Sequence, residues 1–161
     1  MADHIFESRF RLPHPREAVF GFFTSPENLG AVTPSWLHFT LLTPAPIVMA
    51  AGTVLSCRLR WMGVPLRWLS IIREYDPPHR FVDAQLLGPY SRWEHRHMFF
   101  EERGGTVVED RVTYKLPFGP LGRLTHSLLV RRQIEAIFAY RRGKLAALLS
   151  ARLSGAPKQT P

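Results

Sequence analysis

The stretch from Trp36 to Pro117 constrains the fold most: it carries six successive runs with the period of a β-strand, each closed by a turn former. The runs are WLHFTLLTP, GTVLSCRLRWM, PLRWLSIIREY, RFVDAQLLG, RWEHRHMFFEE and TVVEDRVTYKLP. Ala51-Gly52, Gly63-Val64-Pro65, Asp76-Pro77-Pro78, Gly88-Pro89 and Gly104-Gly105 separate them. Glycine at these points accepts a positive φ and proline presets φ, so each break is a turn for a backbone reason. Connections this short join antiparallel neighbours, because a parallel crossover needs about a dozen residues or more.

Ahead of these runs, HIFESRFRL alternates Phe6, Ser8, Phe10 and Leu12 against Glu7, Arg9 and Arg11, which predicts a seventh, half-buried strand. In PREAVFGFF, Pro15 suits a first helical turn and Ala18, Val19, Phe22 and Phe23 fall on one face. Ser25-Pro26 starts a second short helix, which Thr33-Pro34 closes. Beyond PFGPLG the period becomes helical and stays so: Leu121, Leu124, Leu128, Ile134, Ile137, Phe138, Leu145 and Leu148 form a broad apolar stripe. A helix of up to about 30 residues would run about 45 Å, enough to cross a whole sheet, with Gly143 as the point where it bends or breaks. The expected order is β-α-α-β6-α, an α+β architecture in which a seven-stranded curved antiparallel sheet wraps around a long C-terminal helix. A gap between sheet and helix is the expected ligand site.

The chain's 161 residues fit one domain, expected over residues 1–153, with a flexible tail at 154–161 where SGAPKQTP loses apolar periodicity. A domain this long buries roughly 68–70% of its unfolded surface and needs no disulfide or structural metal. The lone Cys57 fits a reducing cytoplasm. MADHIFESRF lacks a basic segment followed by an apolar one, and no segment approaches the ~18 apolar residues of a membrane span, so a cytoplasmic protein without a transmembrane segment is expected. The net charge of +8 allows loose attraction to anions. The arginines are spread along the chain, however, and only Arg131-Arg132 and Arg141-Arg142 cluster. No helix-turn-helix or RNA-binding motif accompanies them, so no specific nucleic-acid partner is expected.

The strand RWEHRHMFF places Trp93, His95, His97 and Phe99 on one face and Arg92, Glu94 and Arg96 on the other. In the next strand Val108, Asp110, Val112, Tyr114 and Leu116 share the inner face. A two- or four-residue loop at Gly104-Gly105 puts Asp110 opposite or diagonal to His97 and Tyr114 beside His95 or Trp93. A buried carboxylate there favours a protonated imidazole and orients its other nitrogen. His-x-His with Asp110 is a weak metal signal, since no further His or Glu cluster fixes the geometry; no metal and no cofactor are expected.

Trp68, Ser70 and Ile72 share one face, as do Leu55, Cys57, Leu59 and Trp61, and both sets read as core or pocket wall. Cys57 has no base placed for it and reads as an inert thiol. RFVDAQL admits two readings: a three-residue turn at Gly88-Pro89-Tyr90 brings Asp83 and Gln85 to the His95 face, and a two-residue turn sends them out. The inward reading is preferred, and a polar pair in a greasy pocket selects a ligand with hydroxyl or carbonyl groups. Phe138 and Arg141 lie on the roofing helix. Arg141 starts near the apolar stripe, in reach of Asp83, Asp110 or an acidic ligand, while surface snorkelling is the plainer expectation.

This order of elements, with Phe6, Phe10, Leu12, Pro15, Glu17, Val19, Phe20, Phe22 and Phe23 at its start, resembles the START-like (SRPBCC) helix-grip superfamily. PENLGAVTPSWLHF, GVPLRW, PPHRFVDAQLLGPYSRWEHRHMF, GGTVVEDRVTYKLPFGPLG and IFAYRR are similar to a bacterial branch described as polyketide cyclase/dehydrase-like or ligand-binding. The resemblance covers residues 4 to about 150 and implies a deep, largely apolar cavity, with no motif that transfers a catalytic residue. One scaffold carries binders, transfer proteins and enzymes in that superfamily. The expectation is therefore a protein that binds or carries a small hydrophobic or aromatic molecule. Its contacts would come from Trp68, Ser70, Asp83, Gln85, Trp93, His95, His97, Asp110, Tyr114, Phe138 and Arg141. The alternative is a cyclase, dehydratase or aromatase in which His97, tuned by Asp110, moves protons. A homodimer is the one assembly entertained.

Overall fold

The computed structural model describes residues 3–117 and 129–154. Seven strands form one sheet: β1 His4–Leu12, β2 Thr40–Leu41, β3 Val54–Trp61, β4 Val64–Asp76, β5 Arg80–Leu87, β6 Arg92–Glu102 and β7 Gly105–Lys115. Their order is β1-β7-β6-β5-β4-β3-β2, and every pairing is antiparallel. The meander from β2 to β7 follows the chain, and β1 closes it beside β7. Helix α1 covers Arg16–Phe23 and helix α2 covers Arg131–Ser154. The α+β helix-grip architecture expected from the sequence is the one observed.

Three local expectations are corrected. The second short helix is reduced to separate single 3-10 turns at Pro26–Asn28 and Ser35–Leu37. Pro26 and Pro34 begin these turns, and His38 ends the second with φ of 44°, so no continuous helix can run through. The first of the six runs, WLHFTLLTP, yields only Thr40–Leu41 as strand, because Trp36 and Leu37 belong to the second 3-10 turn. Helix α2 passes Gly143 unbroken. Glycine costs a helix about 1 kcal/mol, and buried Phe138 and Leu145 anchor the helix on either side of it. Leu121, Leu124 and Leu128 of the expected stripe lie outside the described residues, as does the expected tail beyond Ser154.

The β6–β7 hairpin turns on Arg103 and Gly104, both with positive φ (49° and 71°), the two-residue geometry that suits the twist of its strands. Gly105 is required for a different reason: a Cβ there would lie 2.5 Å from the Leu12 carbonyl oxygen. The resulting register sets His97 opposite Asp110 and Trp93 opposite Tyr114. The β4–β5 register shifts twice, through an extra residue in β5, Leu86, facing Leu69/Ser70 and an extra residue in β4, Arg73, between Ile72 and Glu74; the second lets both Ile72 and Tyr75 face inward.

The inner face carries two apolar clusters. One gathers Leu12, Val19, Phe20, Phe22, Phe81, Phe99 and Val108 with Leu145 and Leu149 of α2. The other gathers Tyr90, Val112, Tyr114 and Leu116 with Val130, Ile134 and Phe138, and Trp61, Trp68 and Trp93 pack against it. Ile134, Phe138, Leu145 and Leu149 recur at helical spacing, so α2 presents one face to both clusters.

Candidate functional site

A cavity of about 220 Å³ lies between the sheet, α2 and the segment after α1. One water needs roughly 10–15 Å³ on this measure, so the space holds a small organic molecule. Strands β3 and β4 line it with Leu55, Cys57, Leu59, Trp61, Trp68, Ser70 and Ile72, the two sets of alternating residues read from the sequence. Asp83 from β5, Trp93, His95 and His97 from β6, and Phe138 and Arg141 from α2 complete the expected lining. Three aromatic rings pack edge to face at one end: Trp68 with Tyr90 at 5.8 Å and Trp68 with Trp93 at 5.4 Å between centroids. Trp61 donates its indole N–H to the Tyr90 hydroxyl at 3.2 Å, which fixes that end further.

Three expected contact residues do not line the cavity. Asp110 is 3% exposed and sits behind the histidines. Tyr114 belongs to the aromatic cluster. Gln85 lies on the expected face, but its side-chain amide is used within the turn, donating to the Tyr90 carbonyl at 2.7 Å and accepting from the Tyr90 N–H at 3.4 Å. In the other direction, the lining also includes Leu29, Val32, Leu37, Met49 and Gln133. The first three occur in PENLGAVTPSWL, where no strand or helix period marks them as inward.

Between the two apolar clusters lies a polar belt. His95 and Asp83 are direct cross-strand partners, and His97 faces Phe81 on the same strand pair. His95 Nε2 hydrogen-bonds Asp110 Oδ1 at 3.1 Å. His97 Nδ1 approaches the same oxygen to 2.9 Å without hydrogen-bonding alignment. On the other side, Asp83 Oδ1 lies 3.9 Å from His95 Nδ1 and 3.6 Å from His97 Nε2. The two imidazoles are 3.7 Å apart between centroids, and His97 stacks on Phe81 at 4.1 Å. Asp110 thus supports both rings from behind, and Asp83 meets both from the cavity side.

Burial and the adjacent His97 pull the His95 imidazole below its ordinary pKa, against the opposing pull of Asp110 and Asp83. Burial acts the same way on His97, but its contacts with Asp110 and Asp83 outweigh it and raise the pKa. Burial alone would raise the Asp110 carboxyl, yet the two imidazoles hold it well below the usual carboxylate range. Within the belt, His97 therefore holds a proton more readily than His95. Cys57 is pushed up to about 11 by burial, which keeps it a thiol.

Arg141 reaches the cavity instead of snorkelling outward. Its Cζ sits 5.4 Å from the centroid of the Phe138 ring. Burial lowers its pKa while Asp110 and Asp83 raise it, and a guanidinium keeps its charge in proteins. Its Nε is buried and has no hydrogen-bond partner among the described residues, and the same holds for Gln133 Oε1. Both residues line the cavity.

No family model and no curated protein matches the chain. Solved structures do. TTHA0849 from Thermus thermophilus superimposes with a TM-score of 0.73 at 22% identity, over 92% of this chain and 99% of that one. A START superfamily protein from Mycobacterium smegmatis gives 0.65 at 10% identity, over 92% and 98%. The di-domain ARO/CYC BexL from the BE-7585A biosynthetic pathway gives 0.66 at 19% identity, over 90% of this chain and 49% of that one. The chain therefore has a START/SRPBCC-like fold, as the resemblance read from its sequence implied. Among the described residues, no helix is long and apolar enough to cross a membrane.

Proposed function

We propose that this protein binds and carries a small hydrophobic or aromatic molecule bearing at least one polar group. The observation that carries this reading is a roomy, mostly apolar cavity with Gln133 and Arg141 in its wall, each holding a buried polar atom that lacks a partner among the described residues. Buried polar atoms are ordinarily satisfied, so a ligand oxygen that meets Arg141 and a donor that meets Gln133 would complete the site. Trp68, Trp93 and Phe138 would contact the ring system, with Ser70, Asp83, His95 and His97 along its edge. Asp110, Tyr114 and Gln85 would act indirectly, by holding these residues. Native mass spectrometry of the purified protein tests this: a retained small molecule that is released on denaturation is expected. A ligand-free protein whose melting temperature is unmoved by aromatic acids would overturn it.

A second reading is supported by one observation: His97, the belt imidazole whose pKa is raised by Asp110 and Asp83, lines the cavity. In that reading His97 exchanges protons with a polyketide-like substrate, as a cyclase or dehydratase would require, and Asp110 orients it. It demands that His97→Ala abolish turnover of a substrate that the variant still binds.

A further inference from the structure

The strand register assembles a ligand set that the sequence spacing left incomplete. We infer that Asp83, His95 and His97 form a three-ligand site for a divalent transition-metal ion, open to the cavity and oriented from behind by Asp110. One ligand atom from each of the three lies within 4.8 Å of the others. A tetrahedral ion with bonds of about 2.1 Å holds its ligand atoms about 3.4 Å apart. The observed 3.6 Å and 3.9 Å from Asp83 Oδ1 to the two imidazoles are close to that spacing, and small side-chain rotations close the rest.

Each imidazole has divided its nitrogens as a metal ligand does. His95 turns Nδ1 to Asp83 and Nε2 to Asp110, and His97 turns Nε2 to Asp83 and Nδ1 to Asp110. Metal-bound histidines direct their second nitrogen to a carboxylate in this way, which sets the tautomer and raises basicity. The role of Asp110 is therefore positioning, and Asp83, one strand over, is the third ligand. Both histidines are 5% exposed and all three ligands sit on paired strands, so the site is rigid.

Two imidazoles with one carboxylate suit zinc, iron(II) or cobalt(II) rather than magnesium or calcium, which take oxygen ligands. Three protein ligands leave a position open, and the cavity lies on that side. Two carboxylates facing one divalent ion and Arg141 leave surplus positive charge. An anionic oxygen of the cavity ligand, such as a carboxylate or enolate, would balance it.

The test is titration of the chelator-treated full chain with cobalt(II), followed by zinc(II). One equivalent of cobalt is expected to bind with visible bands of a low-coordinate site, and zinc is expected to displace it. Asp83→Ala, checked for native circular dichroism, should weaken binding at least tenfold, and Asp110→Asn should weaken it by about 10–100-fold. His38→Ala and His79→Ala, away from the belt, should change nothing. X-ray absorption of the zinc-loaded wild type needs no variant to fold and should show two imidazoles at about 2.0 Å. Absence of binding at millimolar metal, a shell without two imidazoles, or binding unchanged in folded Asp83→Ala would overturn the proposal. These measurements use no organic ligand, so their outcome is independent of the carrier reading.

Discussion

The two apolar clusters on the inner face have the same origin and different outcomes. Both arise from alternating strand residues covered by α2, yet the first is closed around Phe20 and Phe99 and reaches the cavity only at its margin, at Phe22, Val32, Phe81 and Leu145, whereas the second turns Tyr90, Trp61, Trp68 and Trp93 onto it. At the closed end, α1 inserts Phe20 and Phe23 against Phe99, at 5.2 Å and 5.1 Å between ring centroids, and Leu145 and Leu149 complete the packing. At the open end large aromatics support one another edge to face, and α2 covers them with Ile134 and Phe138 without filling the space they surround. A cavity therefore arises where wide, rigid rings hold the walls apart, and a core arises where a helix supplies the matching knobs.

Substitutions sharpen this contrast. Phe99 is 1% exposed in the closed cluster, so Phe99→Ala is expected to cost about 3–5 kcal/mol by urea denaturation. Trp68 borders the cavity and has less packing to lose. Trp68→Ala should cost less than half as much while weakening aromatic-probe binding at least tenfold. Equal losses of stability would remove the distinction between the two ends.

The belt between them predicts a smaller effect with a pH signature. Asp110→Ala is expected to cost about 3 kcal/mol, because it leaves two buried imidazoles without their shared partner. The folded carboxyl holds its proton less tightly than the unfolded one, so its stabilisation is complete above 3.8 and drains away as pH falls below that value. Asp110→Asn should flatten this acid limb of stability against pH, and an unchanged limb would contradict the assigned role. Near neutrality the histidines oppose each other. His97, raised, stabilises below its unfolded value of 6.5 and loses this as pH rises through its folded value. His95, lowered, stabilises above 6.5 and loses this as pH falls through its folded value.

The smallest expected effect leaves stability untouched. With a pKa near 11 instead of 9.0, Cys57 carries on the order of 100-fold less thiolate at pH 8 than an ordinary thiol. Its reaction with a disulfide reagent should be slower by at least that factor in the folded protein, and should recover in urea. A rate matching that of a free thiol would place Cys57 in a different environment.

Much of this site could be read from alternation alone. The run HIFESRFRL coincides with β1, and the pairing of His97 with Asp110 follows once the hairpin loop is even in length. Asp83 faces inward as the preferred reading of RFVDAQL had it. Gln85 shares that face, and what parity could not show is that its amide is spent within the turn. The extra residues Arg73 in β4 and Leu86 in β5 were equally hidden, because an extra residue in one strand leaves no mark in the strand's own sequence. The cap over the cavity, from Pro26 to Leu37, was missed because proline-led single turns have no period to detect. Arg141 faced the reverse difficulty: helical spacing put it beside the apolar stripe, but only the packed helix shows its guanidinium beside Phe138 at the cavity wall.

The central claim is that the open end is a ligand site and not loosely packed core. Fluorescence titration with 1-anilinonaphthalene-8-sulfonate, comparing the wild type with Ser70→Trp, tests it most directly. Ser70 lies on the cavity wall between Trp68 and Ile72, so an indole at that position fills the space. The account predicts saturable binding of one probe per wild-type chain and its loss in Ser70→Trp with the fold retained. Unsaturable binding, or binding equal in the two folded proteins, would contradict it.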